Sequence, residues 1–280
     1  MKEILIKVIE DTIQITVLVT VMMILIDVLN LWTKGKIGLL LRGKNKNRQY
    51  VVSSFIGALP GCFGGFTNVS LYIHGLISFG ALAGSMIAVS GDEAFVMVAM
   101  FPKTAILLFA ILFIIGTFAG KITDLLVKRF KINTCGDCGE LVIHNTKRNF
   151  KHFLKEHILH HIIKKHIWKI ALWTFGALLV VEIALKYWNL EHFTTSYTIV
   201  FLFVGALIGL IPESGPHLIF VSLFATGLIP FSVLLTSSIV QDGHGMLPLL
   251  SFSLKDSIKI KLFNFSFGLI IGLILFSFGI

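Results

Sequence analysis

The sequence predicts an all-α membrane protein: a polytopic helical bundle of about ten segments, built from two inverted repeats that contain broken or re-entrant half-helices. Three observations lead there. Of the 280 residues 55% are hydrophobic and only 14% charged, with a mean hydropathy of +0.88, well outside the mix of a soluble globular domain. All six prolines, at 60, 102, 212, 216, 230 and 248, fall within residues 57–104 and 205–256. The basic residues gather in two other places, Lys34 to Arg48 and Lys121 to Lys169.

Ile13 to Leu31, Ala105 to Ala119, Ile170 to Leu185 and Leu262 to Phe278 hold almost no charge and approach or reach the roughly 20 residues a helix needs to cross a bilayer. The first stretch is followed by Trp32, Lys34 and Lys36 rather than by a small-residue cleavage site, so it reads as a retained span and not a signal peptide. The expected segments are 10–32, 51–66, 69–90, 93–101 and 104–121, then 168–188, 197–211, 217–240, 243–251 and 258–279. Those starting at 93 and 243 are too short to cross, and at membrane depth such pieces survive only where protein or water satisfies their backbone. The domains are therefore a first transmembrane repeat (1–121), a basic Cys/His-rich linker (122–167) and a second transmembrane repeat (168–280).

The two halves carry related breaks. Gly57-Ala58-Leu59-Pro60-Gly61 resembles Gly205-Ala206-Leu207-Ile208-Gly209, and a second polar break follows in each half, Ser90-Gly91-Asp92-Glu93 and Gln241-Asp242-Gly243-His244-Gly245. Proline removes a backbone donor, so these breaks interrupt helices at matching places. With both basic stretches on the cytoplasmic side, Lys255, Lys259 and Lys261 return to the inside while Lys103 falls outside. The halves then run in opposite directions, an arrangement that places a transport site at the midplane.

The net charge of +9 follows from these loops and does not point to nucleic acid. Polar and ionisable groups in a membrane segment are costly, so each is a candidate site residue: Asn68, Ser70, His74, Asp92 and Glu93 in the first half, and Glu213, Ser214, His217, Gln241, Asp242 and His244 in the second. Carboxylates, imidazoles and amide oxygens form a set that suits divalent first-row metals. Glu213 and His217 share a face if helical, although Pro216 favours a broken turn. Asp92 and Asp242 have a simpler alternative as caps of the half-helix that follows, and His74 as a packing histidine. Cys62, whose counterpart by the Gly-Ala-Leu match is Leu210, offers one soft thiolate or a small packing residue.

In the linker, Cys135 and Cys138 form a CxxC, and His157 and His161 lie at helical spacing. They could hold a metal in the cytosol; the plainer reading is a basic amphipathic helix on the membrane surface. Three cysteines are too few for a disulfide framework. The sequence lacks GxSxG, HExxH and a phosphate-binding GxxxxGK, so neither hydrolysis nor nucleotide-driven transport has a motif here.

The residues Gly57 to Cys62, Ile77 to Leu82, Ser90 to Ala94, Ile211-Pro212-Glu213-Ser214-Gly215-Pro216-His217 and Ser238 to Gly245 resemble the ten-transmembrane heavy-metal exporter family, whose members carry the labels manganese transporter or arsenic efflux protein. The resemblance implies export of a metal or metalloid across the cytoplasmic (inner) cell membrane. Between the two labels, Asp, Glu, His and Asn fit Mn2+ better than trivalent arsenic, which prefers thiolates. The expected function is thus secondary, ion-coupled export of a divalent heavy-metal cation, manganese first, with proton exchange as coupling and no tightly bound cofactor. Expected partners are the metal ion, the bilayer and, in a homo-oligomer, further copies of the chain. Three alternatives stand beside it: an arsenite or organoarsenical permease that depends on Cys62, an intramembrane metal-dependent enzyme using Glu213 or His244, and a membrane sensor of metal.

Overall fold

The structure, a computed structural model, describes residues 2–32, 45–61, 63–73, 75–134, 168–187 and 197–279. Among these residues every regular element is helical. The first half contains α1 (Lys2–Trp32), α2 (Lys46–Gly57), α3 (Phe63–Ile73), α4 (Phe79–Ala88), α5 (Glu93–Met100) and α6 (Pro102–Arg129). The second contains α7 (Trp168–Tyr187), α8 (Thr198–Gly209), α9 (Leu218–Ala225), α10 (Phe231–Val240), α11 (Met246–Phe252) and α12 (Leu254–Ser277), with short 3-10 turns over Gly215–His217 and Gly243–Gly245.

Among the described residues three stretches, Phe79–Met100, Pro102–Arg129 and Leu254–Ser277, are long and apolar enough to cross a bilayer. Their roles differ. α6 and α12 turn large apolar side chains outward, among them Ile106, Phe118, Leu125, Leu262 and Ile274, as lipid contact requires. α4 and α5 are buried almost throughout and form the centre. Gly80 and Gly84 of α4 lie directly on the backbone of Gly120 and Gly116 of α6, leaving no room for a Cβ; this close approach is the usual device for packing helices in lipid.

The expected spans 51–66, 69–90 and 217–240 are each interrupted. α2 ends at Gly57 and α3 begins at Phe63; α3 in turn ends before Gly75, and α9 before Gly227. At those two glycines φ is +66° and +74°. Gly75 N donates to Tyr72 O (2.9 Å) and Leu76 N to Leu71 O (2.8 Å), and the same pair recurs from Gly227 to Phe224 and Leu228 to Leu223. This double bond pattern with a left-handed residue closes a helix and satisfies its last carbonyls. The chain stays apolar through both stops, which is why hydropathy alone reads across them.

The halves share their boundaries at a constant offset: adding 152 to 46–57 gives 198–209, adding it to 79–88 gives 231–240, and the long helices start at 102 and 254. This offset corrects the pairing from the Gly-Ala-Leu match by one turn. The helix ends pair Gly57 with Gly209 and Pro60 with Pro212, so the counterpart of Cys62 is Ser214 and not Leu210.

The α2–α3 hairpin opens at the end of the bundle from which the linker leaves. There Asp124, near the end of α6, accepts from Tyr50 Oη (2.8 Å) and Gly80 N (2.7 Å), with Lys46 Nζ at 3.6 Å. Asp256 at the start of α12 accepts from Tyr72 Oη (2.7 Å), and Lys259 bonds Asn133 O. α6 itself runs to Arg129, beyond the expected end of its span at 121. The α8–α9 hairpin opens at the other end, where Phe224 packs against Phe101, between α5 and α6, at 5.1 Å and against Phe231 at 6.3 Å. α1 and α7 lie together on the outside, joined by Lys7 Nζ to Glu182 Oε1 at 2.7 Å.

Candidate functional site

Both hairpin tips and both later breaks meet inside the bundle. Gly61 N, at the tip of the first hairpin, donates to Gly91 O (2.9 Å), and Gln241 Nε2 donates across to Val89 O (3.1 Å). The left-handed Gly91 (φ +57°) and Gly243 (φ +52°) stand 152 residues apart and face each other. A Cβ on Gly243 would lie 3.7 Å from Gly91 Cα and 3.3 Å from Ser214 Oγ, and one on Gly91 would lie 3.0 Å from the same hydroxyl and collide with the carboxylate of Glu93. Ser214, from the second hairpin tip, therefore sits between the two breaks.

Around this junction the polar atoms are buried and largely unspent. Glu93 is 1% exposed, and neither of its carboxylate oxygens completes a hydrogen bond of good geometry among the described residues, although the Ser214 hydroxyl lies close enough to act on the carboxylate; Ser90 Oγ, Ser214 Oγ and Gln241 Oε1 likewise complete none. Unpaired buried groups are rare in folded proteins and call for a physical account. An all-oxygen group of this kind, one carboxylate with hydroxyl and amide oxygens, matches what hard divalent cations take. No three of the described His, Cys, Asp and Glu side chains converge tightly enough to hold a metal by themselves.

Gln241 is in extended conformation (φ −72°, ψ 137°), so the next side chain points the other way. Asp242, 0% exposed, turns to α12, where Asn264 Nδ2 donates to Oδ1 (2.8 Å) and Lys261 Nζ lies 2.5 Å from Oδ2. Lys261 also donates to Gly209 O (3.1 Å) at the end of α8. The sequence-derived site thus divides into two groups, one around Glu93, Ser214 and Gln241 and one around Asp242. His217 takes a separate position: its Nδ1 is 3.0 Å from Ser237 Oγ on α10, and its Nε2 is buried and unbonded. Asn68 on α3 donates to Ser53 O (3.0 Å) and keeps Oδ1 unbonded.

Asp92 occupies the N-cap position of α5 but makes no capping bond with its side chain, which removes the simple capping role. Glu213 is half-buried in the loop before the 3-10 turn at Pro216, as the proline requires, and does not share a helical face with His217. Ser70 is exposed on α3. Cys62, His74, Cys135, Cys138, His157 and His161 lie outside the described residues, and for His244 only the backbone is described.

Lys261 and Asn264 are the residues that sequence reasoning missed. Lys261 was expected as a charge at the membrane face beside Lys255 and Lys259; instead its side chain is only 13% exposed and its ammonium is turned into the bundle toward Asp242. The available signal was the buried stripe Asp256, Ile260, Asn264, Gly268 and Gly272, an i, i+4 row that places polar and small residues on the inner face of an apolar helix.

A helical bundle with an apolar exterior, and with broken helices whose ends gather buried polar groups at its centre, defines a multi-pass membrane protein. The chain belongs to the family described as "Putative, 10TM heavy-metal exporter", whose model matches residues 1–172 and again residues 142–278. No curated protein and no solved structure matches the chain.

Proposed function

We propose that this protein exports a divalent heavy-metal cation, with Mn2+ as its cargo, across the inner cell membrane by secondary transport coupled to proton exchange. Family membership supports metal export. The observation that carries the choice of a hard divalent ion is the group of unbonded buried oxygens on Glu93, Ser214 and Gln241 where the two helix breaks meet. Their loose arrangement suits a cargo that must leave, since a closed cage of three or four charged ligands would hold it. Asp92, Glu213, His217, Asp242 and His244 complete the proposed path as ligands or carriers of exchanged protons.

The same reading takes the halves as inverted repeats. Their support is the shared offset of helix boundaries and the two hairpins that open at opposite ends, the geometry in which one half can rock against the other around a fixed midplane site. In this view the linker end faces the cytoplasm.

Metal tolerance tests the proposal. Cells relying on this protein should survive raised Mn2+, and Glu93→Gln or Asp242→Ala should abolish that tolerance while the protein still reaches the membrane at normal abundance. Full tolerance in both variants contradicts the site. Tolerance of arsenite that depends on Cys62, with none of Mn2+, contradicts the cargo.

A further inference from the structure

Asp242 is a fully buried carboxylate whose partner is not solvent or a loop cation but the ammonium of Lys261, inside the bundle and only 13% exposed. A buried ion pair is weak evidence for stability, because desolvating both charges offsets much of their attraction, so its presence at the centre of a transport path asks for another reason. The surroundings of Lys261 Nζ supply one. The atoms it contacts are oxygens: Asp242 Oδ2 at 2.5 Å and Gly209 O at 3.1 Å. Gly209 is the last residue of α8, where aligned peptide dipoles favour a cation. Asn264, already bonded to Asp242 through its Nδ2, carries an Oδ1 that is buried and unbonded. A carboxylate, a helix-terminal carbonyl and a free amide oxygen are the donors of a hard-cation site. In the first half the positions 152 residues earlier are Ser90, Phe109 and Leu112, so the arrangement has no counterpart at those positions.

We propose that Lys261 is a tethered cation that occupies the metal position beside Asp242 and must be displaced for cargo to bind there. It keeps the unloaded carrier from presenting a bare buried carboxylate, and it weakens binding enough for the ion to be released. This inference rests on the reading of the protein as a cation exporter.

The test is Mn2+ binding to the purified full-length protein in detergent, with free Mn2+ followed by its magnetic resonance signal. Lys261→Met, and Lys261→Gln, which can still donate to Gly209 O, should bind Mn2+ at least about tenfold more tightly than the wild type, since a competing like charge is gone. Asp242→Asn added to either should cancel the gain. In vesicles the same variants should show a lower half-saturation for Mn2+ together with a lower maximal rate. A merely structural ion pair predicts the opposite, weaker binding and raised half-saturation. A second measurement needs no variant: saturating Mn2+ should increase the labelling of Lys261 in the wild type by a small amine reagent, read by mass spectrometry. Unchanged or weaker Mn2+ binding in folded variants, or equal labelling with and without Mn2+, overturns the tether alone. Absence of Mn2+ binding in the wild type and every variant overturns both the tether and the export reading.

Discussion

Glu93 opens α5 with both carboxylate oxygens buried and unbonded, a position that costs a few kcal/mol in a membrane interior unless the group is neutralised or meets a cation. Its chemical signal is legible in the sequence, because a carboxylate between apolar helices has few uses. Its geometry is not, since the Ser214 hydroxyl and the Gln241 amide come from segments more than a hundred residues away. The same division applies to Asp242: the acid stands out, while Asn264 and Lys261 are hidden in what reads as an ordinary apolar helix with a basic end. Asn264→Ala should leave the fold intact and reduce Mn2+ export by roughly tenfold or more, the usual effect of removing a side chain that holds a ligand in place. Export at the wild-type rate would show that the bond to Asp242 is incidental.

At the scale of elements, the breaks decide the architecture. Those marked by proline and acidic residues, at 58–62, 89–92, 210–217 and 241–245, are visible in the sequence. The stops at Gly75 and Gly227 are not, because a single left-handed glycine in an apolar run does not change hydropathy. Gly91→Ala tests the tighter kind of break. A left-handed alanine costs about 1–2 kcal/mol, and its Cβ would meet Glu93 and Ser214, so the variant should melt at lower temperature and lose export. Gly176→Ala in α7 is the contrast: among the described residues no atom lies within 4 Å of the new methyl, and stability should hold or rise slightly. Gly84→Leu should push α4 off α6, with a loss of about 1–3 kcal/mol or more from overpacking, seen as poor yield of monodisperse protein.

The whole molecule reads as two halves with their hairpins opening at opposite ends, joined where the breaks meet. Composition and charge distribution were enough to expect helices, lipid and a polar centre; the pairing of the halves required the helix ends, because the most similar words, Gly-Ala-Leu, occupy positions one turn apart. Sidedness can be checked directly. With Cys62, Cys135 and Cys138 replaced by serine, Thr226→Cys at the end of α9 should react with a membrane-impermeant thiol reagent on intact cells, and Lys46→Cys only after permeabilisation. Labelling of both from one side would contradict the opposed orientation.

The junction of Glu93, Ser214 and Gln241 is proposed to pass a divalent metal ion. Reconstituting the wild type and Glu93→Gln into sealed vesicles and following Mn2+ movement against an imposed proton gradient tests it most directly. The expected result is gradient-dependent Mn2+ flux in the wild type and none above empty vesicles in Glu93→Gln; equal flux in the two would rule the junction out as the path of the ion.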